Sequence, residues 1–198
     1  MSKKEPGNWF PINTSEEELL SRYKSTLAPG KEIKTILAVD PGLVNMAVCF
    51  VHYVGGKTSV IRTTKFEMPK FHSTFHKVKY LQHMICYWVR PIINEHMAPL
   101  DIIIKESIAH GYPGGVADAG RVQHMLESLA WDFNIPFLDV SPTAMRSYFK
   151  SKSKSDTKLS VYKKYHVEFP SEDECDVFAI AMTGLAILSG EYKLKNRK

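Results

Sequence analysis

Cysteine is scarce in this chain: among 198 residues only Cys49, Cys86 and Cys175 carry a thiol, and no two of them form a C-x-x-C pair. An odd, unpatterned set in apolar surroundings excludes a disulfide framework and the common zinc and dithiol redox sites, and fits a reducing compartment. No run of about twenty apolar residues occurs, which excludes a hydrophobic spanning helix. The opening MSKKEPGNWF has no apolar stretch of signal-peptide length. The expectation is a soluble protein of the cytoplasm, in a bacterial or phage-infected cell, with an organellar matrix also compatible. Eleven glycines and eleven prolines are scattered, and no fixed period repeats, which excludes low-complexity and solenoid architectures.

What is present is ordinary in amount but uneven in placement. With 44% hydrophobic and 24% charged residues the chain resembles an average globular domain and can bury a sizeable core. The net charge of +5 suits a polyanionic partner, because each cation set on a phosphate releases condensed counterions. The excess is local. Arg146, Lys150, Lys152, Lys154, Lys158, Lys163 and Lys164 fall in one stretch whose only acid is Asp156, and the tail EYKLKNRK adds more. A solvated basic face is the ordinary alternative for such a run.

Residues 1–32 read as an extension with a short helix, EEELLSRYKSTL, opened by Ser15 and Glu18 at capping-box spacing and closed before Pro29-Gly30. The main domain is expected over 33–190, with 191–198 as a basic tail. TILAVD is apolar almost throughout and breaks at Pro41-Gly42, as a strand buried on both faces does. Met46–Tyr53 and Ser59–Phe66 flank Gly55-Gly56 as a hairpin. Apolar residues at 71, 75, 78, 81, 85, 88, 89 and 92 trace one helical stripe. DIIIKE is then a short strand, HGYPGG a loop, and Val122, Met125, Leu126 and Leu129 the stripe of a further helix, which suits either a dimer face or its own core. IPFLDV reads as a strand; SPTAMRSYF, opened by Ser141 with Pro142 first, and SDTKLSVYKKYH read as helices. A nearly all-apolar helix runs from about Glu172 to Leu188 and stops at Gly190. Three antiparallel strands followed by alternating helices and strands predict an α/β fold, a mixed sheet with helices on both faces.

Four carboxylates stand at telling places. Asp40 and Glu106 each end a strand, where ligands collect in α/β sheets. Asp173 and Asp176, three apart, share a face near the start of the last helix. If the first and fourth strands are neighbours, Asp40 and Glu106 lie side by side. Four converging acids repel one another unless divalent cations neutralise them. All-oxygen ligands without cysteine point to Mg²⁺ or Mn²⁺, and two such ions about 4 Å apart activate water and stabilise the departing oxygen of a phosphodiester. His72, His76, His83, His96 and His124 have no paired ligand spacing and read as surface or core residues.

From Ile36 to about Leu188 the chain resembles the RuvC family of Holliday-junction resolvases, within the RNase H-like nucleases. ILAVDPGLVNMAVCFV looks like that family's first strand with its acid, here Asp40, and DIIIKES like its fourth strand, with Glu106. SEDECDVFAIAM is similar to the last motif, with Asp173 and Asp176. SPTAMRSYF followed by DTKLSV resembles the basic segment, whose two cations near the scissile phosphate correspond to Arg146 and Lys158. The resemblance implies an RNase H-like five-stranded mixed sheet and a Mg²⁺-dependent endodeoxyribonuclease acting on four-way DNA. Its site would use Asp40, Glu106, Asp173 and Asp176 as catalytic and metal-holding residues, two ions between them, with Lys158 beside them. It further implies a homodimer that makes two symmetric cuts. Arg146, Lys150, Lys152, Lys154 and Lys158 are expected on DNA phosphates, and Tyr112, with His110, on an unpaired base. RNA or an RNA/DNA hybrid as substrate, and a non-catalytic junction-binding module, are the alternatives. Where family members often carry an aromatic wedge, this chain has SIAHG, and its nearest aromatic is Tyr112.

Overall fold

A computed structural model describes residues 33–193, apart from 43, 55–56, 71–72, 97–99, 108–115 and 133–134. The chain divides into two units, Met1–Glu32 and Ile33–Lys198, and all described residues belong to the second. The predicted helix of the extension, His110, Tyr112 and the end of the tail lie outside the described residues.

Five strands form one sheet in the order β3-β2-β1-β4-β5: β1 (Thr35–Asp40), β2 (Asn45–Val54), β3 (Lys57–Glu67), β4 (Ile102–Glu106) and β5 (Phe137–Val140). β1 to β3 are antiparallel; β4 and β5 run parallel to β1, so the first and fourth strands are neighbours. β1 lies mid-sheet and is buried on both faces, which is why Ile36 to Val39 are all apolar.

Strand alternation divides the core in two. Leu37, Val39 and Ile103 face α1 (Thr74–His96) and α2 (Val116–Asp132). The α1 stripe packs through Leu81, Ile85, Trp88, Val89 and Ile92, whereas Phe75, on the same stripe, is exposed. Val122, Met125, Leu126 and Leu129 of α2 are all buried against the sheet, so this stripe belongs to the domain's own core and is not a dimer face.

The other face holds Ile36, Ala38, Ile102 and Ile104, covered by α5 (Glu172–Leu188). Gly184 lets α5 settle on the sheet: a Cβ there would meet the Ile104 side chain at 2.6 Å. α3 (Pro142–Phe149) and α4 (Lys154–Tyr165) pack on the outer side of α5, which explains a helix apolar nearly all round. Beyond α5, the Tyr192 amide donates to Ala186 O (2.9 Å) and Glu191 accepts from Tyr148 Oη (3.1 Å). Among the described residues, no helix is long and apolar enough to cross a membrane.

Candidate active site

The register of the sheet assembles the site. Val39 pairs with Lys105, so the next residues, Asp40 and Glu106, end adjacent parallel strands. Asp40 also pairs with Ala47 of β2, and Ala47 with Lys65 of β3. Lys65, Ala47, Asp40 and Glu106 thus form one cross-strand row, on the face covered by α5, with adjacent strands about 4.8 Å apart. Past Asp40 the chain turns sharply: the Gly42 amide donates to Asp40 O (3.0 Å), and a Cβ at Gly42 would lie 2.0 Å from Asn45 O. Only glycine fits that turn.

Ser171 starts α5, its Oγ accepting from the Glu174 amide (3.2 Å) and donating to Glu174 Oε2 (2.9 Å). Glu172, Asp173 and Glu174 fill the first turn, where the helix dipole favours anions. Ser153 opens α4 with a capping box closed by Asp156, which puts Lys154 at the first helical position. From there the Lys154 ammonium donates to Asp173 Oδ1 (3.2 Å) and pairs with Asp176 Oδ2 (3.2 Å), while Lys65 Nζ reaches Asp173 Oδ2 from the sheet (2.7 Å).

The electrostatics follow from these contacts. Burial raises the Asp40 carboxyl above its ordinary range, a hydrogen bond from Glu106 opposes this, and the charges of Asp173 and Asp176 add to the rise. Glu106 is pushed up to about 8, first by burial and then by the negative charge of Asp40, so the two acids titrate as a pair. Asp176 is also raised, by burial. Asp173, more exposed, is lowered by its bonds to Lys65 and then Lys154.

Asp40 therefore senses the other three predicted acids. Among the described residues, no three acids, imidazoles or thiols stand at ion-holding spacing; Asp40 and Glu106 pair with each other, and Asp173 and Asp176 lean on lysines. The donor set is nonetheless carboxylate oxygen alone, and two adjacent acids kept above their ordinary range by burial and then by like charge are what a hard divalent cation would relieve. The residues fit such an ion.

The cations are placed differently from the sequence reading. Lys154, expected on DNA, lies on the acids. Lys158 sits one turn further along α4, near enough to Cys175 for its charge to act on that thiol, which burial pushes up to about 12. Arg146, Lys150 and Lys152 are exposed at the end of α3 and in the loop before α4. Lys65 was not foreseen. Counting back from Gly55-Gly56 would set Thr64 opposite Ala47, but a β-bulge between Val60 and Arg62 shifts the pairing by one and turns Lys65 to the α5 face. Lys105, next to Glu106, points to the opposite face as alternation requires; fully buried, it pairs with the Asp139 carboxylate over the Phe137 ring. His76, His83 and His124 lie on exposed helix surfaces.

No protein-family model matches the chain, and no curated protein does. Solved structures do. RuvC of Thermus thermophilus in complex with Holliday junction substrate superimposes with a TM-score of 0.65 at 14% identity, over 79% of this chain and 96% of that one. The yeast mitochondrial Holliday junction resolvase Ydc2 gives 0.60 at 17% identity, over 88% and 87%. At such identities the likeness is one of fold, and the chain has the RNase H-like fold of the RuvC-type resolvases.

Proposed function

We propose that this protein is a structure-selective DNA endonuclease that resolves four-way junctions by hydrolysis dependent on a divalent cation. The observation that carries the reading is the convergence of Asp40, Glu106, Asp173 and Asp176 at the strand ends and the start of α5, three of them raised above the ordinary carboxylate range. Strand termini from a shared register and the first turns of a capped helix supply these acids, so the fold sets where their backbone stands. The fold shared with two junction resolvases, one of them in complex with its junction, supports the substrate class.

Asp40, Glu106, Asp173 and Asp176 would hold Mg²⁺ or Mn²⁺, two per site, which when bound lower the pKa of a water and stabilise the departing phosphodiester oxygen. As ligands Asp40 and Glu106 would both have to be ionised. Lys158, one turn beyond Lys154 on α4, is assigned to the scissile phosphate; Arg146, Lys150 and Lys152 hold flanking phosphates without reading sequence. A homodimer presenting two such sites fits a substrate that must be cut symmetrically.

The test compares cleavage of a mobile four-way junction, a linear duplex and an RNA–DNA hybrid with Mg²⁺, for the wild type and Asp40→Asn. Junction cutting that the variant loses, with junction binding in Ca²⁺ retained, is expected. Preference for the hybrid moves the substrate to RNA. A wild type that binds junctions and never cuts leaves a binding module.

A further inference from the structure

Lys65 has no part in the reading above, yet the sheet delivers it to the same row as Asp40, two strands away. Its ammonium lies 2.7 Å from one oxygen of Asp173, while Lys154 lies 3.2 Å from the other and 3.2 Å from Asp176. Between them the lysines neutralise the two acids of α5 from opposite sides, one from the sheet and one from α4. Small, buried Ala47 separates Lys65 from Asp40 in the row.

The same oxygens would ligate a divalent cation, and an ammonium and a metal ion cannot both hold them. Lys65 is a strand residue on a long flexible stem, partly exposed, and Lys154 is half exposed. Each can swing off its carboxylate without unfolding anything. Moving an ammonium into water gives up its ion pair, whereas moving it onto a DNA phosphate replaces one anion by another.

We propose that Lys65, together with Lys154, occupies the cation positions on Asp173 and Asp176 in the metal-free protein, and that DNA phosphates draw the two ammoniums away, so that metal and DNA load the site together. This rests on the nuclease reading but adds a positioning residue to it and a reason for order in binding. A protein that keeps its acids clamped by lysines off DNA has weak metal affinity until a phosphate backbone is present, which confines metal loading to the bound state. Coupling of this kind is reciprocal: metal tightens the DNA complex by the factor by which DNA tightens metal.

The experiment is calorimetric titration of Mn²⁺ into the full chain without DNA, for the wild type, Lys65→Met, Lys65→Gln and Lys65→Arg, with thermal melting to confirm that each is folded. The two neutral variants are expected to bind Mn²⁺ roughly two- to fivefold more tightly than the wild type, the order of a partly exposed ion pair, and Lys65→Arg to match the wild type. Repeating the titration with Ca²⁺, first without and then with a four-way junction, the wild type should gain affinity on adding DNA and the neutral variants should gain less. Unchanged or weaker metal binding in Lys65→Met and Lys65→Gln overturns the proposal, because a lysine that merely props Asp173 in place would cost affinity when removed. In that event tight Mn²⁺ binding lost in Asp40→Asn still upholds the nuclease site. No Mn²⁺ binding by any form overturns both.

Discussion

At the scale of single residues, Glu106 makes the stability of the metal-free protein depend on pH in an unusual direction. Its folded value lies near 8 against an ordinary 4.5, so between those limits the folded protein keeps a proton that the unfolded chain has released. Stability is then fully present below about pH 4.5 and declines as pH rises toward about 8, and raised Asp40 acts in the same sense. Melting temperatures between about pH 5 and 8 should fall in the wild type and fall less in Glu106→Gln. Mg²⁺ should restore the wild type most at the upper end. A flat wild-type profile would mean that the two acids do not meet as described. Lys150 offers a second test, since it adopts the left-handed conformation at the end of α3 with φ of 52°, donating its amide to Arg146 O and Ser147 O. Glycine is at ease there and lysine is not. Lys150→Gly should raise stability in urea by up to about 1 kcal/mol while weakening junction binding; a loss of stability would show that the lysine stem packs. The four acids were legible because each stands at an element end that sequence marks: a turn after Asp40, a short strand before Glu106, a capped helix around Asp173 and Asp176. Lys65 was not legible, because its facing depends on one extra strand residue that no pattern of apolar side chains announces.

At the scale of elements, α5 decides whether the acids of the sheet and those of the helix meet. It carries Asp173 and Asp176 at its start and Gly184 three turns later, where Ile104 of β4 leaves no room for a methyl group. Ile104 is fully buried beside Leu138, whose side chain is also within 3.3 Å of that Cβ position, so the neighbours cannot yield far. Gly184→Val should cost about 1–3 kcal/mol by overpacking and lift the helix from the strand that ends in Glu106. Activity should therefore fall by more than stability does, read as cleavage rate against urea midpoint; equal tolerance of Val and Ala at this position would show that α5 adapts. The helix itself was readable from composition, and its all-round burial makes sense only with α3 and α4 outside it. What sequence could not give was the depth of each cation along α4. Lys154 and Lys158 are four apart and share a helical face; the cap at Ser153 puts the first at the start of the helix, where it reaches the acids, while the second lies by Cys175. The α2 stripe shows the converse limit: periodicity says that a face is covered, and tertiary packing alone says by what.

At the scale of the whole molecule, the positive surplus and the acids lie in one region of the domain. The loop between α3 and α4 and the exposed side of α4 carry Lys150, Lys152 and Lys163, and α4 also starts with the lysine that reaches Asp173. A polyanion drawn to that basic face arrives beside the carboxylates, which by themselves would repel it. The α1 surface carries lysines too, Lys77 and Lys79, on the far side of the sheet. The two faces make different predictions for salt. Replacing Lys152 and Lys163 by alanine should lower the slope of log affinity for a four-way junction against log salt by about 0.9 for each phosphate contact removed, in Ca²⁺ so that no strand is cut. Lys77 and Lys79 replaced together serve as the control and should leave the slope as it was. If the control pair lowers it as much, charge attracts the DNA without orienting it, and the face that presents phosphates to Asp40 and Glu106 must be sought elsewhere on the domain.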